Sequence, residues 1–145
     1  FSSANVIDIF VLEKASNTQL RKATPEYKRQ LLEGIEVKKM MTDAPVIVDG
    51  LIRTLDLFIT LTLDSNFKFI EPEIISSARD MVLSYFNVDS TDFGEPFVPQ
   101  DLIRTILQED TRIRFAEVDN VDSNITIGFN EIIQLNNFTV KVAYL

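Results

Sequence analysis

The chain has 145 residues, 46% apolar and 25% charged, with only 4 Gly and 5 Pro, a balance that suits one globular domain with a real core and argues against disorder. It contains no Cys, His or Trp, which excludes disulfides, thiolate and imidazole nucleophiles, and most zinc and copper centres. The net charge is -8, and apolar runs are broken by charges well before the roughly 20 residues of a membrane span. Neither nucleic acid nor an anionic membrane is therefore an expected partner.

The chain opens on Phe1 with no initiator Met, which points to a domain of a longer protein, and its apolar run Phe138 to Leu145 reads as a native end pinned in a sheet. Val6 to Lys14 is β-branched and aromatic and predicts a strand, stopped by the polar run Ala15 to Thr18. Thr24-Pro25-Glu26 supplies a hydroxyl N-cap and a Pro at the first helical position. The helix it opens carries Tyr27, Leu31 and Ile35 on one stripe running toward Met40 and Met41. Leu51 to Asp64 alternates apolar and polar residues and predicts a long strand with one buried face. Glu71-Pro72 opens a second helix whose Ile74, Ala78, Met81, Val82 and Tyr85 keep the 3-4 spacing.

Asn87 to Gly94 is turn chemistry, and a third helix runs from Pro99 to near Asp110 with Leu102, Ile103, Ile106 and Leu107 apolar. Arg112 to Val118, Glu131 to Leu135 and Phe138 to Tyr144 predict strands, with Asn136-Asn137 a tight turn between the last two. The fold class is α+β: a mixed or antiparallel sheet with about three helices packed mainly on one face. One structural domain is expected over 1–145, with a candidate subdivision near Asp43-Ala44-Pro45 into a strand-helix arm (1–45) and a compact block (46–145).

The search for chemistry is mostly negative. The acidic pair Asp119 and Asp122 lies in a loop whose spacing fails as a calcium loop, because Val121 stands where a ligand is needed and no Gly follows. The glycines at 34, 50, 94 and 128 form no phosphate-binding loop. No catalytic residue, cofactor, metal or small-molecule substrate is expected. The Phe residues at 67, 69, 93, 97 and 129 fall in or beside loops; for any one of them core or loop anchor is the commoner explanation, while several together suggest a partner surface. The last strand, carrying Lys141 as its one charge, suggests an edge that another chain could cover.

The order of features from Gly50 to Leu145 resembles the C-terminal domain of the J-like baseplate wedge family of contractile-tailed bacteriophages, including the larger wedge proteins of T-even-type myophages. The residues that carry it are the alternating strand LIRTLDLFITLTLD, the helix IISSARDMVLSYF, the turn Gly94-Glu95-Pro96, and the helix Val98 to Ile106 with its Leu102-Ile103 pair and Ile106. Thr111-Arg112-Ile113 departs from the Gly-Val that often follows this helix, and residues 1–49 match nothing in the family's common versions.

The resemblance implies a non-enzymatic scaffold of the virion tail baseplate, assembled in the host cytoplasm. Its copies would pair, join in a ring around the tail hub, and dock other wedge and sheath-initiator proteins. Interface candidates are Tyr27, Leu31, Ile35, Met40 and Met41 in the arm, Phe97 and Phe129 in loops, and Phe138, Val140, Val142 and Tyr144 in the last strand. Two alternatives stand beside it: a partner-binding adaptor outside phages, and a carboxylate-dependent hydrolase built on two converging acids.

Overall fold

The computed structural model describes residues 5–36 and 43–145. The N-terminal part consists of β1 (Asn5–Val11), β2 (Glu13–Lys14), β3 (Leu20–Arg21), α1 (Pro25–Glu36) and β4 (Asp43–Asp49). The strand expected over Val6 to Lys14 breaks at Leu12, because Glu13 and Lys14 turn back to pair with Leu20 and Arg21. The polar run makes the bend, with the Ala15 and Ser16 amides both donating to the Gln19 carbonyl at 2.9 and 3.1 Å.

Thr24 caps α1 as its chemistry requires: its hydroxyl accepts from the Tyr27 amide at 3.2 Å, satisfying one of the donors that a helix start leaves free. β1 and β4 pair in parallel, from Asn5 opposite Asp43 to Val11 opposite Asp49. Parallel neighbours need a crossover; α1 lies in it and packs on β4, with Lys28 Nζ 2.7 Å from Asp49 Oδ1. The subdivision expected near Asp43-Ala44-Pro45 thus falls inside a strand. Met40 and Met41 lie outside the described residues.

The larger sheet has three strands in the order β6-β5-β7, with β5 (Leu51–Leu63) at its centre. β6 (Ile113–Val118) runs antiparallel to it and β7 (Glu131–Tyr144) parallel. Leu57, Ile59, Leu61 and Leu63 point to one side, where α2 (Glu71–Tyr85) contributes Ile74, Ala78 and Val82 and α3 (Pro99–Glu109) contributes Leu102 and Ile106. These side chains are almost completely excluded from water, each large one contributing about 1.5–3 kcal/mol of burial. The fold is α+β, with α2 and α3 on one face of the sheet and α1 apart from them on β4.

Asn136-Asn137 is not a turn. β7 continues through it as one strand of 14 residues, and its register against β5 shifts between Leu55 and Leu57. The carboxylate of Asp56 fills the irregularity, Oδ1 accepting from Asn136 Nδ2 and from the Asn137 amide, each at 3.1 Å. A second irregularity between Thr62 and Leu63 places Ile113 opposite Leu63, which keeps Ile113 in the core and turns Arg114 outward. Strand bulges work in this way, re-aiming side chains without ending the ladder.

The Gly94-Glu95-Pro96 turn leads into the core. Gly94 has φ +74°, its amide donates to the Glu131 carbonyl at 2.8 Å, and an added Cβ would lie 3.3 Å from Phe129 Cα. Left-handed backbone and a close neighbouring main chain both disfavour a side chain there. Gly94→Ala should therefore destabilise the domain by about 1–2 kcal/mol, read as a lower urea midpoint at unchanged m-value. Phe97 then enters the interior, exchanging two backbone hydrogen bonds of 2.9 Å with Ile125.

Candidate functional site

Residues of β5 alternate, so the side opposite the helices carries Thr54, Asp56, Phe58, Thr60 and Thr62, flanked by Phe115 and Glu117 of β6 and by Thr139, Lys141 and Ala143 of β7. Neither α2 nor α3 reaches this side. Phe58 and Phe115 are 49% and 54% exposed, unusual for aromatic side chains on a sheet, whose burial is worth the most per residue.

The ends of the central strand add to this. Beyond its C-terminal end, Phe69 in the short 3-10 turn Ser65–Ile70 is 83% exposed, and exposed Leu145 donates its amide to the Leu63 carbonyl. At the start, Leu51 is exposed and hydrogen-bonded to Asn130, next to Phe129, which is 77% exposed and meets Phe10 edge-on at 5.4 Å. Phe129 was legible as a loop aromatic; Phe58 and Phe115 were not, because alternation alone does not tell which face of a strand lacks a cover.

The other sequence candidates divide. Phe97, an interface candidate, lies in the core, only 2% exposed. Phe138, Val140, Val142 and Tyr144 pack, half-buried, against the helix side of the sheet. Their neighbours Thr139, Lys141 and Ala143 are the ones presented outward. Arg79 lies over the Phe138 ring at 4.6 Å and Lys68 over the Tyr144 ring at 5.1 Å, so cations shield the apolar flank of β7. The Tyr144 hydroxyl donates to Glu71, a bond that holds the proton and pushes its pKa up to about 12. In the N-terminal part, Tyr27 is exposed and Leu31 and Ile35 are half-buried. Of the motif residues, Leu102 and Ile106 are buried and Ile103 half-buried, while Glu95 and Pro96 are exposed.

The acidic loop is occupied with structure. Asn120 extends the sheet beyond β6, its Oδ1 accepting from the Phe58 amide at 2.9 Å and its Nδ2 donating to the Asp56 carbonyl at 2.7 Å. Asp119 accepts from the Thr60 hydroxyl at 2.5 Å. Asp119 and Asp122 line a shallow depression of about 360 Å³ between α3 and β6. Among the described residues, no group of three or more acidic side chains converges as a metal centre requires.

Comparison of the sequence with models of protein families and with curated proteins finds no match.

Proposed function

We propose that the chain is a structural, self-associating subunit of a larger assembly, and that this assembly is the wedge of a contractile phage tail baseplate. The observation that carries self-association is the side of the three-stranded sheet opposite α2 and α3, where, among the described residues, Phe58 and Phe115 stand half-exposed among threonines. Scattered apolar side chains are normal on a surface, but aromatics on an open sheet face are the residues that protein interfaces favour. A self-complementary contact through this face would bury both rings against the same face of a second copy, as a two-fold interface does.

The baseplate setting rests on the resemblance in Gly50 to Leu145. In support, the segments that carry it form one packed unit: β5, α2 and α3 close on a single core, and Gly94 sits where only glycine is comfortable. In that setting copies would pair around the tail hub and dock other wedge and sheath-initiator proteins. Light scattering coupled to size exclusion tests the association. The weight-average mass should rise from monomer toward dimer with concentration, whereas a constant monomer mass would remove self-association from this reading.

A further inference from the structure

Between the end of α2 and the Gly94-Glu95-Pro96 turn lies a cleft of about 310 Å³. Its floor is apolar, made by Phe86, Phe97 and Ile133, all nearly buried, with the Phe86 and Phe97 rings 5.5 Å apart. Its polar lining includes Ser90, Thr91 and Glu95. The hydroxyls of Ser90 and Thr91 both donate their single protons to the Asn87 carbonyl, at 3.0 and 2.9 Å. What remains to them is lone pairs.

Among the described residues Glu95 receives one hydrogen bond, from the Asp92 amide at 3.1 Å to Oε2, out of the several a carboxylate can accept. Among the described residues near the cleft, Lys14 pairs with Asp89 at 2.8 Å and Arg104 with Asp101. Tyr85, also in the lining, has its hydroxyl pKa raised, by burial first and then by the negative charges of Asp101 and Glu95, against the opposing positive charge of Arg104. Acceptors and negative charge thus converge over an aromatic floor.

We propose that this cleft binds a cation carried on a short apolar stem, the chemistry shared by lysine and arginine side chains and by free alkylamines. The stem would lie on Phe86 and Phe97 and the charged head among Glu95, Ser90 and Thr91. A single buried stem and one charge-assisted contact give millimolar affinity. The volume stands at the lower end of small-ligand sites, which suits one side chain and not a larger ligand. This inference stands apart from the self-association proposed above, since a monomer has the whole cleft.

The test is titration of the 15N-labelled chain, followed by its amide resonances, with three probes: Nα-acetyl-arginine methylamide, n-butylguanidinium, and the neutral Nα-acetyl-norleucine methylamide. The cations should shift resonances of residues 84–97 saturably, and Glu95→Gln should weaken them roughly ten-fold. That variant keeps an oxygen able to accept from Asp92, so the turn survives. Binding of the capped arginine as tight as that of butylguanidinium assigns the cleft to a partner protein's side chain. Binding of butylguanidinium alone assigns it to a free small organic cation. No saturable shift from either cation, equal binding of the norleucine probe, or Glu95→Gln binding unchanged would overturn the proposal.

Discussion

Leu102→Ala is expected to lower the folding free energy by about 3–4 kcal/mol, while Ile103→Ala costs about 1 kcal/mol. The two residues are neighbours in α3, yet Leu102 is completely buried and Ile103 only half-buried. Leu102 belongs to the cluster that holds Leu57, Leu61, Val82 and Ile106 together. Truncating it removes apolar contact and leaves a void that close-packed neighbours fill only partly. Urea unfolding of both variants measures this directly, and equal costs would mean that α3 sits in a different rotation about its axis. The loss at Leu102 is a large part of the total stability of a domain this size.

Asp110→Ala is the second large effect, expected at about 2–3 kcal/mol at pH 7. Asp110 ends α3, is 5% exposed, and shapes the turn into β6. Its Oδ1 accepts from the Arg112 amide at 3.0 Å and from Arg112 Nε at 2.9 Å, and Oδ2 accepts from Arg112 Nη2 at 2.8 Å. The hydrogen bonds from Arg112 hold the carboxyl pKa below its ordinary value. A depressed folded pKa stabilises fully above the unfolded value of about 3.9 and loses that contribution as pH falls through the folded value. The gap between wild type and variant in a stability-versus-pH series should therefore be widest near neutrality and shrink below about pH 4. A gap that does not change with pH would show that the cost is packing alone.

The sequence made the elements with strong local signals legible. β5 was readable because its burial alternates with the pleat, and α2 and α3 because each starts with a proline in the first turn and keeps a helical stripe. β7 was misread because two consecutive asparagines have turn chemistry, while the group that straightens them is Asp56, some 80 positions away in the chain. β4 was missed for a related reason: DAPVIVD has the Asp and Pro of a linker, and only its parallel partner β1 makes it a strand.

The site was legible only in part. Choosing apolar residues of the last strand as interface candidates selected its buried side, since Phe138, Val140, Val142 and Tyr144 share the phase of Leu57, Ile59, Leu61 and Leu63. Which of a strand's two faces stays uncovered depends on where α2 and α3 settle. That is decided by the packing of distant segments and not by the alternation itself. The aromatics that matter for the proposed contact, Phe58 and Phe115, looked like ordinary members of their strands.

Sedimentation equilibrium of the wild-type chain beside the Phe58→Lys/Phe115→Lys double variant tests the central claim most directly. Both substitutions are on exposed positions of the open face, so the fold should survive with small changes in stability, checked by thermal unfolding. Wild type should show a concentration-dependent monomer–dimer equilibrium, and the double variant should remain monomeric, because two cations now face their own copies across the two-fold. A wild type that stays monomeric at every concentration, or a double variant that associates as strongly, would contradict assembly through this face.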